Sequence, residues 1–338
     1  MTTRREGPTG WRRAAFSHVE DVVRRLMVLP PPRSRTVRDL AFHRYGRQVR
    51  RILRAAPAEF EVVERRDLAV GAHNSVAELS LRGETQVAPG DVLSLWWRNS
   101  DARAAATASG EGSLRYWTTP LPHRPSTRRT ATEEVLRREV VDLSGEETDW
   151  RRAPRIVPRF FTTSHAAGDG DVAEVRLQVT WDRRWPERAA AYLHRAEPGE
   201  RLRGWVLPHP HRVPAGPGLA IVTGSGAASV FAALRAGARD VRLLWGLGDK
   251  RLTGWVEAEL EDWLASGALG HLEVVRAPSR VTDLLASRTG ELREIVTGGG
   301  WLFVSGNAAM GEQVDLLVGD ALGDRRRRAV HESFIVST

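Results

Sequence analysis

Residues 159–166, RFFTTSHA, combine side chains that suit one kind of ligand. Arg159 carries a permanent charge and can pair with a phosphate through two hydrogen bonds. Phe161 can lie flat on an aromatic ring, and the hydroxyls of Thr162 and Thr163 can bond to the polar edge of that ring. The segment therefore predicts a site for a ligand with both a flat ring and a phosphate. The alternative is a buried aromatic pair beside a surface arginine.

Three short glycine-rich or small-residue stretches follow apolar runs in the second half of the chain, at 223–228, 246–249 and 305–308. In open parallel sheets ligands gather where strands end and helices begin, because backbone N–H groups there point outward. The stretch TGSGA is typical of a turn that holds phosphate. Ordinary turn geometry after a strand also demands glycine, so both interpretations stay open.

The elements that must position these residues are of two kinds. Between residues 58 and 213, branched and alternating runs such as FEVVERRDLAV and VRLQVTWD predict antiparallel strands, with a partly helical insertion at 101–150. From 214 to 338, apolar strands alternate with helices, which predicts a parallel sheet covered on both faces. Residues 1–57 form a basic extension whose second half predicts a packing helix or a docking surface for an acidic partner.

Composition excludes several classes of function. The formal net charge is +8, but Lys250 is the only lysine, so the arginine surplus resembles a coding bias and does not by itself indicate nucleic acid. The absence of cysteine excludes disulfides, thiolate metal sites and cysteine nucleophiles. His209 and His211 lack a third ligand in sequence, so no metal is expected. Without an apolar run of membrane-spanning length or a signal-peptide core, we expect a cytoplasmic protein.

The order of these elements resembles the ferredoxin–NADP reductase superfamily, specifically the branch with sulfite reductase flavoprotein and nitric oxide synthase reductase domains. The resemblance covers about residues 58–338. It implies an antiparallel FAD-binding β-barrel with a helical insertion, followed by a Rossmann-like nicotinamide-nucleotide domain of parallel strands. The FMN-binding domain of that branch is not expected, so the electron carrier would be a separate protein.

The flavin motifs of this family are partly retained. Arg159, Phe161 and Thr162 match its Arg-x-Tyr-Ser, which implies an arginine on the FAD pyrophosphate and an aromatic ring against the isoalloxazine. Trp181 stands where the family often stacks an aromatic on adenine. The flavin-phosphate motif Gly-x-x-Ser/Thr aligns with residues 187–190, where Ala190 replaces the hydroxyl and Arg188 would substitute for the lost phosphate contact.

The nicotinamide motifs are more eroded. The family's glycine-rich turn aligns with TGSGAASV at 223–230, and its Cys-Gly-Asp aligns with 305–307, where the cysteine and the carboxylate are replaced. Ser337 stands where the family has a flavin-shielding aromatic. The nucleotide contacts that the resemblance implies are Thr223, Gly224, Ser225, Gly226, Lys250, Arg251, Gly306 and Asn307.

Three functions remain open at this point. The first is an FAD-dependent oxidoreductase that moves electrons from NADPH or NADH to an acidic flavodoxin or ferredoxin, with Thr162 and Ser305 at the reacting centre. The second is a reductase-derived flavoenzyme that no longer uses NADPH and acts on a small molecule in a biosynthetic pathway, with His165 as acid–base candidate. The third is a non-catalytic relic. For His165 the alternative is simple surface exposure.

Overall fold

The computed structural model describes residues 52, 56–96, 113–117, 127–131, 159–169, 172–184, 189–209, 212–322 and 329–334. These residues fall into two compact units, one ending at residue 209 and the other beginning after it. The basic extension up to residue 51, the helical signal of the insertion after residue 131, Arg188 and Ser337 lie outside the described residues.

The first unit is built on a closed antiparallel barrel. Its strands pair in the order β1-β2-β7-β6-β3-β8, and β8 pairs back onto β1. The predicted antiparallel barrel is therefore confirmed, and a separate hairpin of β4 and β5 lies within the insertion. The elements are β1 (Ala58–Val70), β2 (Asn74–Gly83), β3 (Val92–Leu95), β4 (Ser113–Trp117), β5 (Thr127–Ala131), β6 (Arg159–Asp169), β7 (Val172–Asp182), α1 (Ala189–His194) and β8 (Arg201–Leu207).

Alternating apolar residues fill the interior of the barrel. Leu79 lies opposite Leu177, and Leu81 lies opposite Val175, so each pair points to the same side of the wall. All four side chains are buried in one cluster with Phe60. Burial of such a side chain contributes about 2 kcal/mol, and each of the six described ring strands pairs with two neighbours.

A tight turn before β3 ties it to β6. The backbone N–H of Asp91 donates to the carbonyl of Ala88 over 3.0 Å, and Gly90 between them has a φ of 78°, which glycine adopts without strain. The Asp91 carboxylate accepts from the Ala88 N–H at 2.9 Å. The Asp91 carbonyl in turn accepts from the N–H of Thr163 at 2.8 Å. The Pro-Gly-Asp sequence thereby sets the register of the strand that carries RFFTTSHA.

The second unit is a five-stranded parallel sheet with helices, in the strand order β12-β10-β9-β13-β14. This confirms the Rossmann-like domain predicted from strand–helix alternation. Chain order reverses between β9 and β13, which makes their carboxyl ends the switch point of the sheet. The elements are β9 (Gly218–Thr223), a 3-10 helix (Gly224–Ala227), α2 (Ala228–Arg235), β10 (Val241–Gly248), β11 (Arg251–Leu252), α3 (Gly254–Ala265), β12 (Leu269–Arg276), α4 (Val281–Ala286), α5 (Thr289–Thr297), β13 (Trp301–Asn307), α6 (Ala308–Leu322) and β14 (Ala329–Phe334).

Side-chain contacts hold α2, the helix that starts at the switch point. The guanidinium of Arg235 donates twice to the Glu259 carboxylate of α3, at 2.8 Å each. It also lies 5.4 Å from the centre of the Phe231 ring, whose edges contact Trp245 and Trp263. These contacts hold α2 against α3 and β10. Among the described residues, no helix is both long and apolar enough to cross a membrane.

Candidate functional site

The glycine turn after β9 packs directly on the end of β13. A Cβ on Gly226 would lie 2.6 Å from the carbonyl oxygen of Ser305 and 2.9 Å from its hydroxyl, and a Cβ on Gly306 would collide with the Thr223 hydroxyl. Only glycine permits these approaches. The structure thus brings together the predicted stretches 223–226 and 305–307, because both follow neighbouring parallel strands.

The polar residues of this junction have distinct environments. Ser305 is completely buried, whereas Thr223, Gly224 and Ser225 are half-buried. The side-chain oxygen of Asn307 accepts from the Met310 N–H at 2.9 Å, which caps the start of α6. The junction therefore presents backbone groups and one exposed amide at the first turns of two helices, an arrangement that can bind an anion.

The two basic residues predicted after β10, Lys250 and Arg251, differ in their exposure to solvent. The Lys250 ammonium is buried and donates to the carbonyl of Leu247 at 2.9 Å, while Arg251 is exposed. Gly248, two residues before Lys250, has a φ of 65°, so the chain turns sharply there. The indole of Trp245, on the same strand, donates to the Gly224 carbonyl at 3.0 Å and supports the glycine turn from below.

Strand β6 divides RFFTTSHA between two faces. Phe161 lies opposite Leu93, and Arg159 lies opposite Leu95, so both share the face that carries the barrel core. Phe160 and Thr162 lie on the other face, as does Ser94 of β3. Thr163 is buried and its hydroxyl donates to the carbonyl of Ala88 at 3.5 Å. Phe161 and Thr162 therefore point to opposite sides of the wall, whereas Thr163 lies opposite the core residue Leu177.

The outer face of the barrel holds an unusual layer of buried polar groups. Glu78 is 1% exposed and accepts from the Ser164 hydroxyl at 3.0 Å, with the Arg66 guanidinium 3.4 Å away. Gln178 lies opposite Glu78 and is 3% exposed, yet within the described part of the chain neither polar atom of its amide has a hydrogen-bond partner. The Ser94 hydroxyl is likewise buried and has no partner among the residues that the structure describes. Buried polar groups of this kind normally have partners, so the layer has capacity for a ligand or ordered water.

Sequence reasoning missed Glu78 and Gln178. In VAELSLRG and VRLQVTWD they occupy alternate positions, which normally indicates solvent-facing side chains. Their burial depends on which other segments of the chain cover the outer face. The residue pattern of a single strand does not predict which segments those are. His165, predicted as an acid–base candidate, is half-buried and lies opposite Arg176 beside this layer.

Trp181 packs at the end of β7 against helix α1. Its ring centre lies 4.5 Å from that of His194, and the Arg183 guanidinium lies 5.9 Å from the same ring. Its indole nitrogen is buried without a partner among the described groups. Ala190, on the same helix, packs against the barrel core and offers no polar group to a phosphate. One face of Trp181 is therefore already covered by an imidazole.

His194 has the residue types of a nucleophilic triad around it but not the geometry. The Ser75 hydroxyl lies 3.0 Å from Nε2, and the Asp67 carboxylate lies 3.6 Å from the same nitrogen. A working triad engages opposite ring nitrogens. Burial, reinforced by the positive charge of Arg65, lowers the pKa of His194 to about 4. This neutral histidine holds α1 onto the barrel.

Comparison with known proteins gives matches at the level of structure. No protein-family model matches the chain, and no curated protein matches its sequence. Solved structures that match include ferredoxin-NADP+ reductase from Plasmodium falciparum, at 10% identity and a TM-score of 0.55, and the same protein with 2'P-AMP, at 10% and 0.53. A mutant of that enzyme in complex with 2'P-AMP matches at 10% and 0.52.

Each match covers 82% of this chain and 96% of the other. At this identity the likeness concerns the fold. A closed antiparallel barrel followed by a doubly wound parallel sheet, in that order along one chain, is thus the two-domain fold of ferredoxin-NADP+ reductase.

Proposed function

We propose that this chain is a flavin-dependent oxidoreductase that carries electrons from a reduced nicotinamide nucleotide, through FAD, to a separate acceptor. The observation that carries this proposal is the glycine-packed junction of β9 and β13. Dinucleotides bind at such switch points, outside the carboxyl ends of the strands. The match to a reductase with 2'P-AMP supports a nucleotide at this arrangement.

The nucleotide pyrophosphate would lie on the turn between β9 and α2. Backbone N–H groups of Gly224, Ser225 and Gly226 would donate to the phosphate at the turn that begins α2, whose positive end favours an anion. Trp245 holds the Gly224 carbonyl from the opposite side, so the turn keeps its shape. Thr223 and Asn307 flank the turn and would bond to the polar groups of the nicotinamide half.

The outer barrel face is the proposed location of the flavin ring. A flavin ring has a polar edge with donors and acceptors, and Gln178 has a buried amide whose two polar atoms lack partners among the described residues. Thr162 and Phe160 share this face and would supply a hydroxyl and an aromatic ring. When bound, FAD supplies the acceptance of hydride and the release of single electrons that such an enzyme needs. Arg159 shares the core face but is half-buried at the first residue of β6, where the barrel wall ends. Arg159 and Arg188 remain the proposed phosphate contacts, and Ser337 the residue at the outer flavin face.

An anaerobic titration tests the whole proposal. The purified full chain, reconstituted with FAD, is mixed with NADH and separately with NADPH while flavin absorbance is followed. We expect the oxidised absorbance to bleach with at least one of them. Bound flavin that bleaches with neither nucleotide, but does bleach on photoreduction, would end the nicotinamide part of the proposal.

Gln178→Leu tests the flavin site independently of turnover. Replacing an unpartnered buried amide by an apolar side chain of similar size should leave stability unchanged or raise it. If FAD uses this amide, its dissociation constant should rise by about tenfold, as expected for one good hydrogen bond. The control is Gln313→Leu on the exposed surface of α6. Equal FAD affinity in wild type and both variants would remove Gln178 from the site.

A second function is favoured by one observation, the complete burial of Ser305. If its hydroxyl stays under the glycine turn, it cannot touch a nicotinamide ring. The chain would then be a flavoenzyme that acts on a small molecule, with half-buried His165 as its acid–base group. Flavin reduction by candidate substrates, with His165→Ala compared with wild type, distinguishes this function from the first.

A further inference from the structure

Buried polar atoms without partners stand on both strands that pair with β6. On β7, Arg176 and Gln178 are two residues apart, so their side chains point to the same outer face. Within the described part of the chain, Nε of Arg176 and both polar atoms of the Gln178 amide are buried and have no hydrogen-bond partner. On β3, the Ser94 hydroxyl also lacks a partner among the described groups. The two groups thus stand on strands about 10 Å apart, one on each side of β6.

The group on β7 offers two hydrogen-bond donors and one acceptor. Nε of Arg176 and the amide nitrogen of Gln178 carry N–H groups, and the amide oxygen of Gln178 accepts. The other two nitrogens of Arg176 face carboxylates, with Nη1 3.7 Å from Glu78 and Nη2 3.8 Å from Glu174. The pyrimidine edge of a flavin is the complement of this group, because its N3–H donates between two carbonyl oxygens that accept.

The outer face becomes less polar from β7 toward β8. Thr162 of β6 stands between Gln178 on β7 and the strand that carries Ser94. Ser94 in turn lies opposite Trp205 of β8. The ring centre of Trp205 is 6.0 Å from that of Trp96, and both residues are 5% exposed. A flavin ring changes in the same way along its length, from the pyrimidine ring, past N5 in the middle ring, to an apolar dimethylbenzene ring.

We infer that the flavin ring lies across β6 and that the Ser94 hydroxyl donates a hydrogen bond to its N5. The pyrimidine edge then faces Arg176 and Gln178, and the dimethylbenzene ring lies toward Trp205. Burial of a hydroxyl without a partner is unfavourable, and a bond to the N5 acceptor removes that cost. This inference rests on the proposed function, and it adds Ser94 to the residues that contact the cofactor.

Binding of FAD analogues to the full chain tests this orientation without turnover. The probes are FAD, a deaza form in which C–H replaces N5, and a form methylated at N3, each titrated by calorimetry. We expect wild type to bind each analogue about tenfold more weakly than FAD, as for the loss of one good hydrogen bond.

Two variants should each remove one of these differences in affinity. Ser94→Ala should bind FAD and the deaza form equally but still bind the N3-methylated form more weakly. Gln178→Leu should do the reverse, because its lost contact is at the pyrimidine edge. Gln313→Leu, on the exposed surface of α6, is the control and should keep both differences. Thermal unfolding checks that Ser94→Ala is folded, and its midpoint should not fall, since an unpartnered hydroxyl is removed.

The outcomes separate the orientation from the proposed function. If wild type binds FAD and the deaza form equally, or if Ser94→Ala keeps the difference between them, Ser94 does not contact N5. If Gln178→Leu, and not Ser94→Ala, removes that difference, the ring lies the other way round. Each of these results would overturn the inference and leave flavin binding intact. If FAD itself does not bind, the flavin part of the proposed function fails, and the inference fails with it.

Discussion

At the scale of residues, the central question is which side of β6 meets a ligand. Phe160 and Phe161 are neighbours in sequence but point to opposite faces, since Phe161 lies opposite the core residue Leu93. The face of Phe160 also carries Thr162 and adjoins the unpartnered amide of Gln178. A ligand on that face would gain hydrogen bonds that are otherwise unmade, so Phe160 is favoured over Phe161 as its aromatic neighbour.

Alanine substitutions of the two phenylalanines should therefore have different effects. Phe161→Ala removes packing from the barrel core and should lower the free energy of unfolding by about 2 to 3 kcal/mol. Phe160→Ala should weaken FAD binding more than it lowers stability. Denaturation in urea and FAD titration of both variants measure the difference. If only Phe161→Ala weakened FAD binding, Phe161 and not Phe160 would be the aromatic residue that contacts the flavin ring.

His194 makes a prediction about pH. Its pKa is lowered to about 4 in the folded protein because burial disfavours the charged imidazole, against 6.5 for an exposed histidine. The unfolded chain therefore takes up the proton first, and stability falls as pH drops from about 6.5 through 4. The full loss is about 3 kcal/mol. Urea midpoints at pH 7 and pH 5 should differ more in wild type than in His194→Gln, and equal differences would contradict this.

At the scale of elements, the junction of the β9 turn with β13 depends on glycine. A methyl group on Gly226 would press on backbone and hydroxyl atoms of Ser305, neither of which can move aside alone. The turn must shift away from β13, and the direction of its N–H groups shifts with it. The same contact that buries Ser305 thus determines the shape of the proposed phosphate site.

Gly226→Ala should cost about 1 to 3 kcal/mol of stability and weaken ADP-ribose binding as well. Gly290→Ala is the control, because a Cβ there meets nothing within 4 Å and the residue lies inside α5. That control should be neutral or stabilise the helix by up to about 1 kcal/mol. Thermal unfolding and calorimetry on both variants check the pair. If Gly226→Ala binds the probe normally, the turn is not the phosphate site.

At the scale of the whole molecule, the net charge of +8 bears on the acceptor. A basic protein attracts an acidic flavodoxin or ferredoxin over about a Debye length, and salt screens that attraction. The proposed protein acceptor is therefore of this acidic kind.

Electron transfer from the reduced chain to an acidic ferredoxin should slow by about tenfold or more between low and high salt. Transfer to a neutral quinone is the control and should change little. Stopped-flow rates over a salt series measure both. The same small salt dependence for the two acceptors would argue against docking by charge.

The architecture was predictable from the sequence because its signals are local. Two-residue alternation in β1, β2 and β7 and strand–helix alternation after residue 217 each report the burial of one element. Residues 223–226 and 305–307 were predicted as strand ends where ligands gather, and the structure showed that they meet, since β9 and β13 are paired in parallel. The hairpin of β4 and β5 within the insertion was not predicted, because its segments are short and weakly patterned.

Local pattern by itself determined the barrel, the parallel sheet and the strand ends at which ligand-binding residues gather. Tertiary structure decided which of those residues are accessible. It turned Phe161 toward the core, folded Lys250 inward onto Leu247 and buried Ser305 beneath Gly226. The physical reason is that hydrophobic periodicity and residue propensity indicate which face of a single helix or strand is buried. The accessibility of a side chain depends instead on which segments, distant in sequence, pack against that element.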